Sequence, residues 1–217
     1  MAKNKTSPLL DDTGQRINVA VRIPCTEAEG PGKRFALWVQ GCPKRCPGCC
    51  NPEMLVFEDR DWVDVDLLAE EIALAHVNEG IEGVTFLGGE PFAQAPALAA
   101  LARRVRAHGL TVMIFSGHTL ADLKDQADAE LPGVGDLLAQ VDLLVDGEFE
   151  RDSLDHERRW IGSTNQTIHA LTDHYTELAS DWDTSPNTLE IRLIDGQLMV
   201  NGSPFLMDKL GRVRKIF

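Results

Sequence analysis

The stretch Gln40-Gly41-Cys42-Pro43-Lys44-Arg45-Cys46-Pro47-Gly48-Cys49-Cys50-Asn51 holds four of the five cysteines within nine residues. Cys42, Cys46 and Cys49 have the spacing C-x3-C-x2-C. Whatever fold the chain adopts must present three thiols on one short loop. Thiolates are soft ligands that select zinc, copper(I) or iron–sulfur clusters. Structural zinc sites take four ligands, typically as two short pairs apart in sequence. No second pair exists here, so a zinc site would need Cys25, Cys50 or a histidine as its fourth ligand. Three thiolates on a compact loop also suit a 4Fe-4S cluster with one iron left without a protein ligand. The third reading, ordinary buried thiols, is disfavoured by the density of cysteines and by the interleaved Pro-Lys-Arg and Pro-Gly.

Around this loop the hydrophobic pattern alternates between strand and helix. Ile17 to Ile23 alternates as a strand does, and Phe35 to Val39 is a short apolar run expected to be a buried strand. The cysteines follow directly, so they emerge from the C-terminal end of that strand. Val65, Leu68, Ile72 and Ala75 have helical spacing within Asp64 to His76, with Asp64 as N-cap. Val84 to Leu87 reads as a strand ending in Gly88-Gly89-Glu90-Pro91. Pro96 to Arg106 reads as a helix stopped by His108-Gly109. Leu110 to Phe115 predicts a strand ending in Ser116-Gly117-His118-Thr119. A helix from Thr119 or Leu120 to Ala127 follows, then a short one from Val134 to Gln140. Val141 to Val145 is a strand ending in Asp146-Gly147. Strand–helix units of ~25–35 residues imply parallel strands joined by right-handed crossovers, hence an α/β fold. Ligands in such folds sit at the carboxyl ends of the strands, the rim that the cysteine loop occupies.

The ends read differently. Residues 1–16 are polar and predict little fixed structure, leaving 17–217 as one domain. Glu150 to Arg159 is highly charged and predicts a surface excursion, and Thr172 to Asn187 a polar loop. Leu189 to Leu193 and Gln197 to Val200 flank Asp195-Gly196 as a C-terminal β-hairpin. The basic tail from Lys209 to Phe217 is expected to be flexible at its end.

A net charge of −13 argues against non-specific nucleic-acid binding, which needs a basic footprint. No apolar run approaches the ~20 residues of a membrane span, and the first residues hold no apolar segment of signal-peptide type. A cytoplasmic location is therefore expected. There, five cysteines are metal ligands or thiols rather than a disulfide framework.

The cysteine spacing after the first strand of an α/β chain resembles the signature of the radical S-adenosylmethionine superfamily. Within it, the chain is most similar to the anaerobic ribonucleotide reductase activating enzymes, a glycyl-radical activating family. Gly30-Pro31-Gly32-Lys33-Arg34 resembles that family's lead-in, and Gly41-Cys42-Pro43 through Asn51-Pro52-Glu53 its cluster loop. Leu87-Gly88-Gly89-Glu90-Pro91, Ser116-Gly117-His118-Thr119, Val145-Asp146-Gly147 and Gly162-Ser163-Thr164-Asn165-Gln166 resemble its later motifs. The resemblance implies a partial, open TIM-like barrel of parallel strands with outer helices, followed by the hairpin. It implies a 4Fe-4S cluster on Cys42, Cys46 and Cys49, with S-adenosylmethionine chelating the fourth iron. One electron would then release a 5′-deoxyadenosyl radical that abstracts hydrogen from a glycine of a large partner, the anaerobic reductase, with a flavodoxin or ferredoxin-type protein as electron donor.

Gly88, Gly89, Glu90 and Pro91 would bind the methionyl end of S-adenosylmethionine, with Glu90 facing its ammonium. Ser116 would hydrogen-bond the cofactor, and Asp146 would contact it or a cation. The Asn165 amide suits ribose or carboxylate contacts. Each of these polar residues also suits plain turn capping. Cys50 departs from the family pattern, as does Gly202-Ser203-Pro204, and Cys25 has no assignable role. Two rival functions stay open: a radical enzyme acting on a small molecule or peptide, and a non-catalytic iron–sulfur or zinc module.

Overall fold

The computed structural model describes residues 15–176, 186–194, 197–203 and 205–206. The polar segment up to residue 14, the Asp195-Gly196 turn, Pro204, the basic tail and most of the Thr172 to Asn187 loop lie outside the described residues. Strand β1 (Arg16–Thr26), β2 (Arg34–Val39) and β3 (Asp61–Asp64) precede helix α1 (Val65–Glu79). Then come β4 (Gly83–Gly88), α2 (Ala95–Ala107), β5 (Thr111–Phe115), α3 (Leu120–Asp128), α4 (Val134–Leu138), β6 (Leu143–Asp146) and β7 (Thr167–Ala170). A separate hairpin, β8 (Leu189–Ile194) with β9 (Gln197–Gly202), closes the described chain.

The main sheet has the order β3-β1-β2-β4-β5-β6-β7. Its centre, β2, β4, β5 and β6, is parallel, and β1, β3 and β7 add antiparallel edges. The parallel strands are near-continuous apolar runs because both their faces are covered; every residue of β2 and of β6 is buried. They follow one another across the sheet in chain order, so right-handed crossovers carry every helix to the same face. Val65, Leu68 and Ile72 of α1, Leu98 and Leu101 of α2, Leu123 of α3 and Leu137 of α4 join one core with Leu37, Phe86, Ile114 and Leu144 of the strands. The alternate strand residues turn the other way. Ala36, Trp38 and Leu87 pack with Ile23 and Met54, and Met113, Leu143 and Val145 pack with Ile161 and Tyr175.

The helices thus cover one face of a mostly parallel sheet. The sheet stays open, with β3 and β7 at its edges. The α/β class, the parallel centre and the hairpin are as expected from sequence. Strand β3 is not legible in the sequence, because it is only four residues long and holds too little apolar alternation, and β7 falls where the sequence after Gln166 allows either a strand or a helix start. Asp64 does cap α1, accepting the Asp66 N–H at 2.8 Å, but the helix continues past His76 to Glu79, ending at Gly80 with φ 69°.

The Gly30-to-Arg34 lead-in works at the opposite end of the sheet from the cysteines. The Arg34 guanidinium is fully buried. It donates to the Thr85 hydroxyl at 2.7 Å, the Thr111 hydroxyl and Tyr175 phenol at 3.1 Å each, and the Pro31 and Val84 carbonyls. A Cβ on Gly30 would lie 2.5 Å from Arg34 Cδ, so the glycine makes room for the arginine. One side chain thereby ties the starts of β2, β4 and β5 together. The hairpin docks beside this lead-in: Asn201 Nδ2 donates to the Thr26 hydroxyl at 2.9 Å and to Glu29 Oε1 at 3.1 Å, and Arg192 Nη2 donates to the Cys25 carbonyl at 2.6 Å.

Candidate functional site

The cysteine loop leaves β2 through Gln40, whose Nε2 donates to the Val56 carbonyl at 2.7 Å. The Gly41 N–H reaches the Met54 carbonyl at 2.9 Å and the Cys42 N–H the Leu55 carbonyl at 3.2 Å, so the loop closes on the segment that follows it. Its sulfurs are met by backbone amides. Cys49 Sγ accepts the Asn51 N–H at 3.5 Å, and the amides of Lys44 and Arg45 beside Cys42 and of Phe149 beside Cys46 favour the thiolate. Burial pushes the Cys42 and Cys46 thiols above the ordinary thiol range, and the amide hydrogen bonds pull the other way by favouring the thiolate. Cys42 is buried, Cys46 and Cys49 are partly exposed, and Cys50 is exposed.

Gly88 and Gly89 bring the end of β4 against this loop. A Cβ on Gly89 would stand 2.3 Å from the Gly41 carbonyl oxygen and 3.0 Å from that of Met54; one on Gly88 would stand 2.7 Å from the Val39 nitrogen. The Gly89 N–H donates to Val39 O at 2.8 Å and the Glu90 N–H to Gly41 O at 2.9 Å. The glycines therefore serve close approach of two backbones, whereas the sequence reading assigned them to close approach of a ligand. Glu90 is buried, which raises its pKa. Its carboxylate accepts the Phe92 N–H at 3.0 Å, the Ser116 hydroxyl at 3.0 Å and the Gly117 N–H at 2.8 Å, joining the ends of β4 and β5. Pro91 opens the 3-10 turn that follows.

The remaining expected residues reach the same rim with their polar atoms partly engaged. Ser116 Oγ, besides donating to Glu90, accepts the His118 N–H at 3.0 Å. Asp146 Oδ2 accepts the Leu120 N–H at 2.6 Å, capping the start of α3, and stands 3.0 Å from His169 Nε2, out of line for a hydrogen bond. Asn165 Nδ2 donates to the Glu148 carbonyl at 2.8 Å, and Gln166 Nε2 to that of Gly147 at 2.9 Å. The Gly162-to-Gln166 element thus steadies the loop after β6.

That loop is the part the sequence reading missed. Lys44 Nζ pairs with Glu148 Oε1 at 3.0 Å, Glu148 Oε2 lies 3.9 Å from Cys46 Sγ, and Arg151 packs over Gly48, its Cδ 3.2 Å from where a Cβ would be. The charged segment expected as a surface excursion is mostly exposed, yet it is folded around Asp155, which accepts from the Glu157 and Arg158 amides and the Arg158 guanidinium. Only the Lys-Arg pair between the cysteines hinted at an acidic neighbour.

A concavity of about 470 Å³ lies at the other end of the strands, lined by Arg106, Thr111, Asp142 and His174 among others, and includes none of the expected site residues. Among the described residues, no three or more His, Cys, Asp or Glu side chains converge so as to hold one metal ion, and no helix is long and apolar enough to cross a membrane.

Comparison with known proteins covers this same region. The family described as a 4Fe-4S single cluster domain matches residues 28–169, which span every rim motif. The anaerobic ribonucleoside-triphosphate reductase-activating protein of Vibrio cholerae is 32% identical over 154 residues, covering 69% of this chain and 95% of that protein. The proteins of the same name from Escherichia coli and Pasteurella multocida are 30% and 28% identical, covering 68% and 73% of this chain and 95% and 100% of theirs. The matches run almost the full length of these relatives, and the family match takes in the thiol loop together with the strand ends that enclose it. On that ground the chain belongs to the family of anaerobic ribonucleoside-triphosphate reductase-activating proteins, with a 4Fe-4S single cluster domain at its centre.

Proposed function

We propose that this chain is a radical S-adenosylmethionine enzyme that activates an anaerobic ribonucleotide reductase by abstracting hydrogen from a glycine of that partner. The observation that carries the reading is the junction of the cysteine loop with the end of β4, where Gly89 leaves no room for a Cβ against the Gly41 carbonyl. Thiols alone need no such junction; a cofactor spanning the loop and the strand end does. Cys42, Cys46 and Cys49 are the assigned ligands of a 4Fe-4S cluster. The donor set fits: three sulfurs on one loop, each with a backbone amide beside it that favours the thiolate. Ligands of separate irons need not converge on one point, unlike those of a zinc ion.

Cys42, Cys46 and Cys49 would hold the cluster, which, once reduced by the electron donor, would supply one electron to cleave the sulfonium of bound S-adenosylmethionine into methionine and a 5′-deoxyadenosyl radical. The residues of the chain do the positioning. Glu90 accepts three hydrogen bonds, and a carboxylate offers about four acceptor sites, which leaves one for an ammonium. Gly88, Gly89 and Pro91 fix the backbone beside it. Ser116 holds Glu90 in place, and Asp146 and Asn165 shape the wall made by β6 and its loop. The same reading takes 17–217 as one radical domain and the sheet as the wall of a partial barrel, helices outside, with an open rim that a loop of the reductase can enter. A thiol-rich, oxygen-labile site belongs in a reducing cytoplasm, with a flavodoxin or ferredoxin-type electron donor.

The test is anaerobic reconstitution followed by mixing with the reductase, S-adenosylmethionine and a reductant. Four irons per chain, 5′-deoxyadenosine release and a glycyl doublet by electron paramagnetic resonance are expected, and Cys46→Ala abolishes all three. Release of 5′-deoxyadenosine without a doublet would move the substrate to a small molecule or peptide. Zinc in place of iron would end the reading.

A further inference from the structure

Lys44 and Glu148 are 104 residues apart in sequence and form an ion pair on the site side of the rim. Three contacts hold the pair in place. The Glu148 carbonyl is bound by Asn165 at 2.8 Å, and the adjoining Phe149 amide lies beside Cys46. The Lys44 stem runs over Gly117, its Cγ 3.1 Å from where a Cβ would be, and the two charged groups meet at 3.0 Å. The pair is oriented. One carboxylate oxygen faces the ammonium and the other faces Cys46 Sγ at 3.9 Å. A thiol donates weakly to such an oxygen, but a metal-bound thiolate has no proton to donate. Ligation therefore leaves a carboxylate beside an anionic sulfur, with a cation on its far side.

We propose that Glu148 and Lys44 are positioning residues that set the reduction potential of the cluster from opposite directions, Glu148 lowering it and Lys44 raising it. The proposal rests on the cluster reading above. Reduction adds one negative charge, so a fixed carboxylate at a ligating sulfur opposes it and an ammonium behind that carboxylate offsets the opposition. Glu148 is half exposed and solvent screens part of its charge, so the two effects are moderate and nearly balanced. A reductant that must deliver an electron to a low-potential site meets this balance directly, and any partner that draws Lys44 away from Glu148 shifts it.

The experiment is a redox titration of the reconstituted full-length chain, followed by electron paramagnetic resonance without the reductase. Glu148→Gln keeps the volume and removes the charge. Lys44→Met keeps the stem and removes the ammonium, and Lys44→Arg keeps the charge. Glu148→Gln is expected to raise the midpoint and Lys44→Met to lower it. Each should change the oxidised-to-reduced ratio at a fixed poise by roughly tenfold, equivalent to about 59 mV for one electron. Lys44→Arg and the double variant Glu148→Gln/Lys44→Met should stay near wild type. Shifts of the two single variants in the same direction, or none with four irons retained, overturn the proposal. So does loss of iron from either single variant, which would make the pair a mere staple of the loop. A wild-type chain that fails to take up four irons refutes the cluster reading instead.

Discussion

Gly89→Ala probes the junction on which the site depends. The added Cβ would sit 2.3 Å from the Gly41 carbonyl oxygen and 2.8 Å from its carbon, and that oxygen would have to retreat to the 3.4 Å at which ordinary contact begins. Both atoms are backbone, so no side chain can swing aside. Overpacking of this kind costs ~1–3 kcal/mol. The retreating carbonyl is also the acceptor of the Glu90 N–H at 2.9 Å, a hydrogen bond worth ~1 kcal/mol. Together these give about 2–4 kcal/mol, a large share of the ~5–15 kcal/mol that holds a typical domain folded. At roughly 2–4 °C per kcal/mol for a chain of this size, the melting temperature should fall by about 5–15 °C. Thermal unfolding under anaerobic conditions measures that, and iron per chain after reconstitution measures whether the loop still presents its thiols. Gly109→Ala is the control: its Cβ meets nothing within 4 Å and its φ is +76°, so it bears only the left-handed backbone cost of ~1–2 kcal/mol. A Gly89→Ala chain as stable as wild type, with full iron uptake, would refute the close approach of β4 to the cysteine loop.

Three further outcomes test other parts of the structure. Arg34→Lys removes the shared donor of the Thr85, Thr111 and Tyr175 hydroxyls and the Val84 carbonyl, although Thr85 keeps the Glu29 carbonyl and Thr111 and Tyr175 keep each other, and should cost roughly 2–3 kcal/mol in urea unfolding, because a lysine cannot reproduce the planar fork. Burial raises the folded pKa of Glu29 above its ordinary 4.5; a raised carboxyl favours folding at low pH and loses that contribution as pH climbs through the raised value. Unfolding free energy measured from pH 4 upward should therefore decline for wild type relative to Glu29→Gln, and parallel curves would contradict the burial argument. Asp146→Ala should remove the acceptor of the Leu120 N–H at the start of α3 and cost ~0.5–2 kcal/mol; unchanged stability with weakened S-adenosylmethionine binding would make Asp146 a direct cofactor contact.

The amino-acid sequence by itself determined the α/β class, the parallel centre and the placing of three thiols at the carboxyl end of a strand. These are local properties: Phe35 to Val39 is apolar because both its faces are buried, and Asp64 caps a helix whose apolar residues follow it at helical spacing. The short edge β3 escaped because four residues carry too little periodicity, and the same brevity left β7 undecided between a strand and a helix start. The tertiary structure alone decided who holds whom. Gly89 is small because the Gly41 carbonyl stands where its Cβ would be, and Glu90 is acidic partly because the Ser116 hydroxyl and Gly117 amide converge on it. Cys46 answers to Glu148 and Phe149 across about a hundred residues of chain. Spacing along a chain records the turns and caps that neighbouring residues make. It does not record which distant backbone will close on a loop, because that is set by how the strands stack, and the thiol loop owes its shape to the stacking.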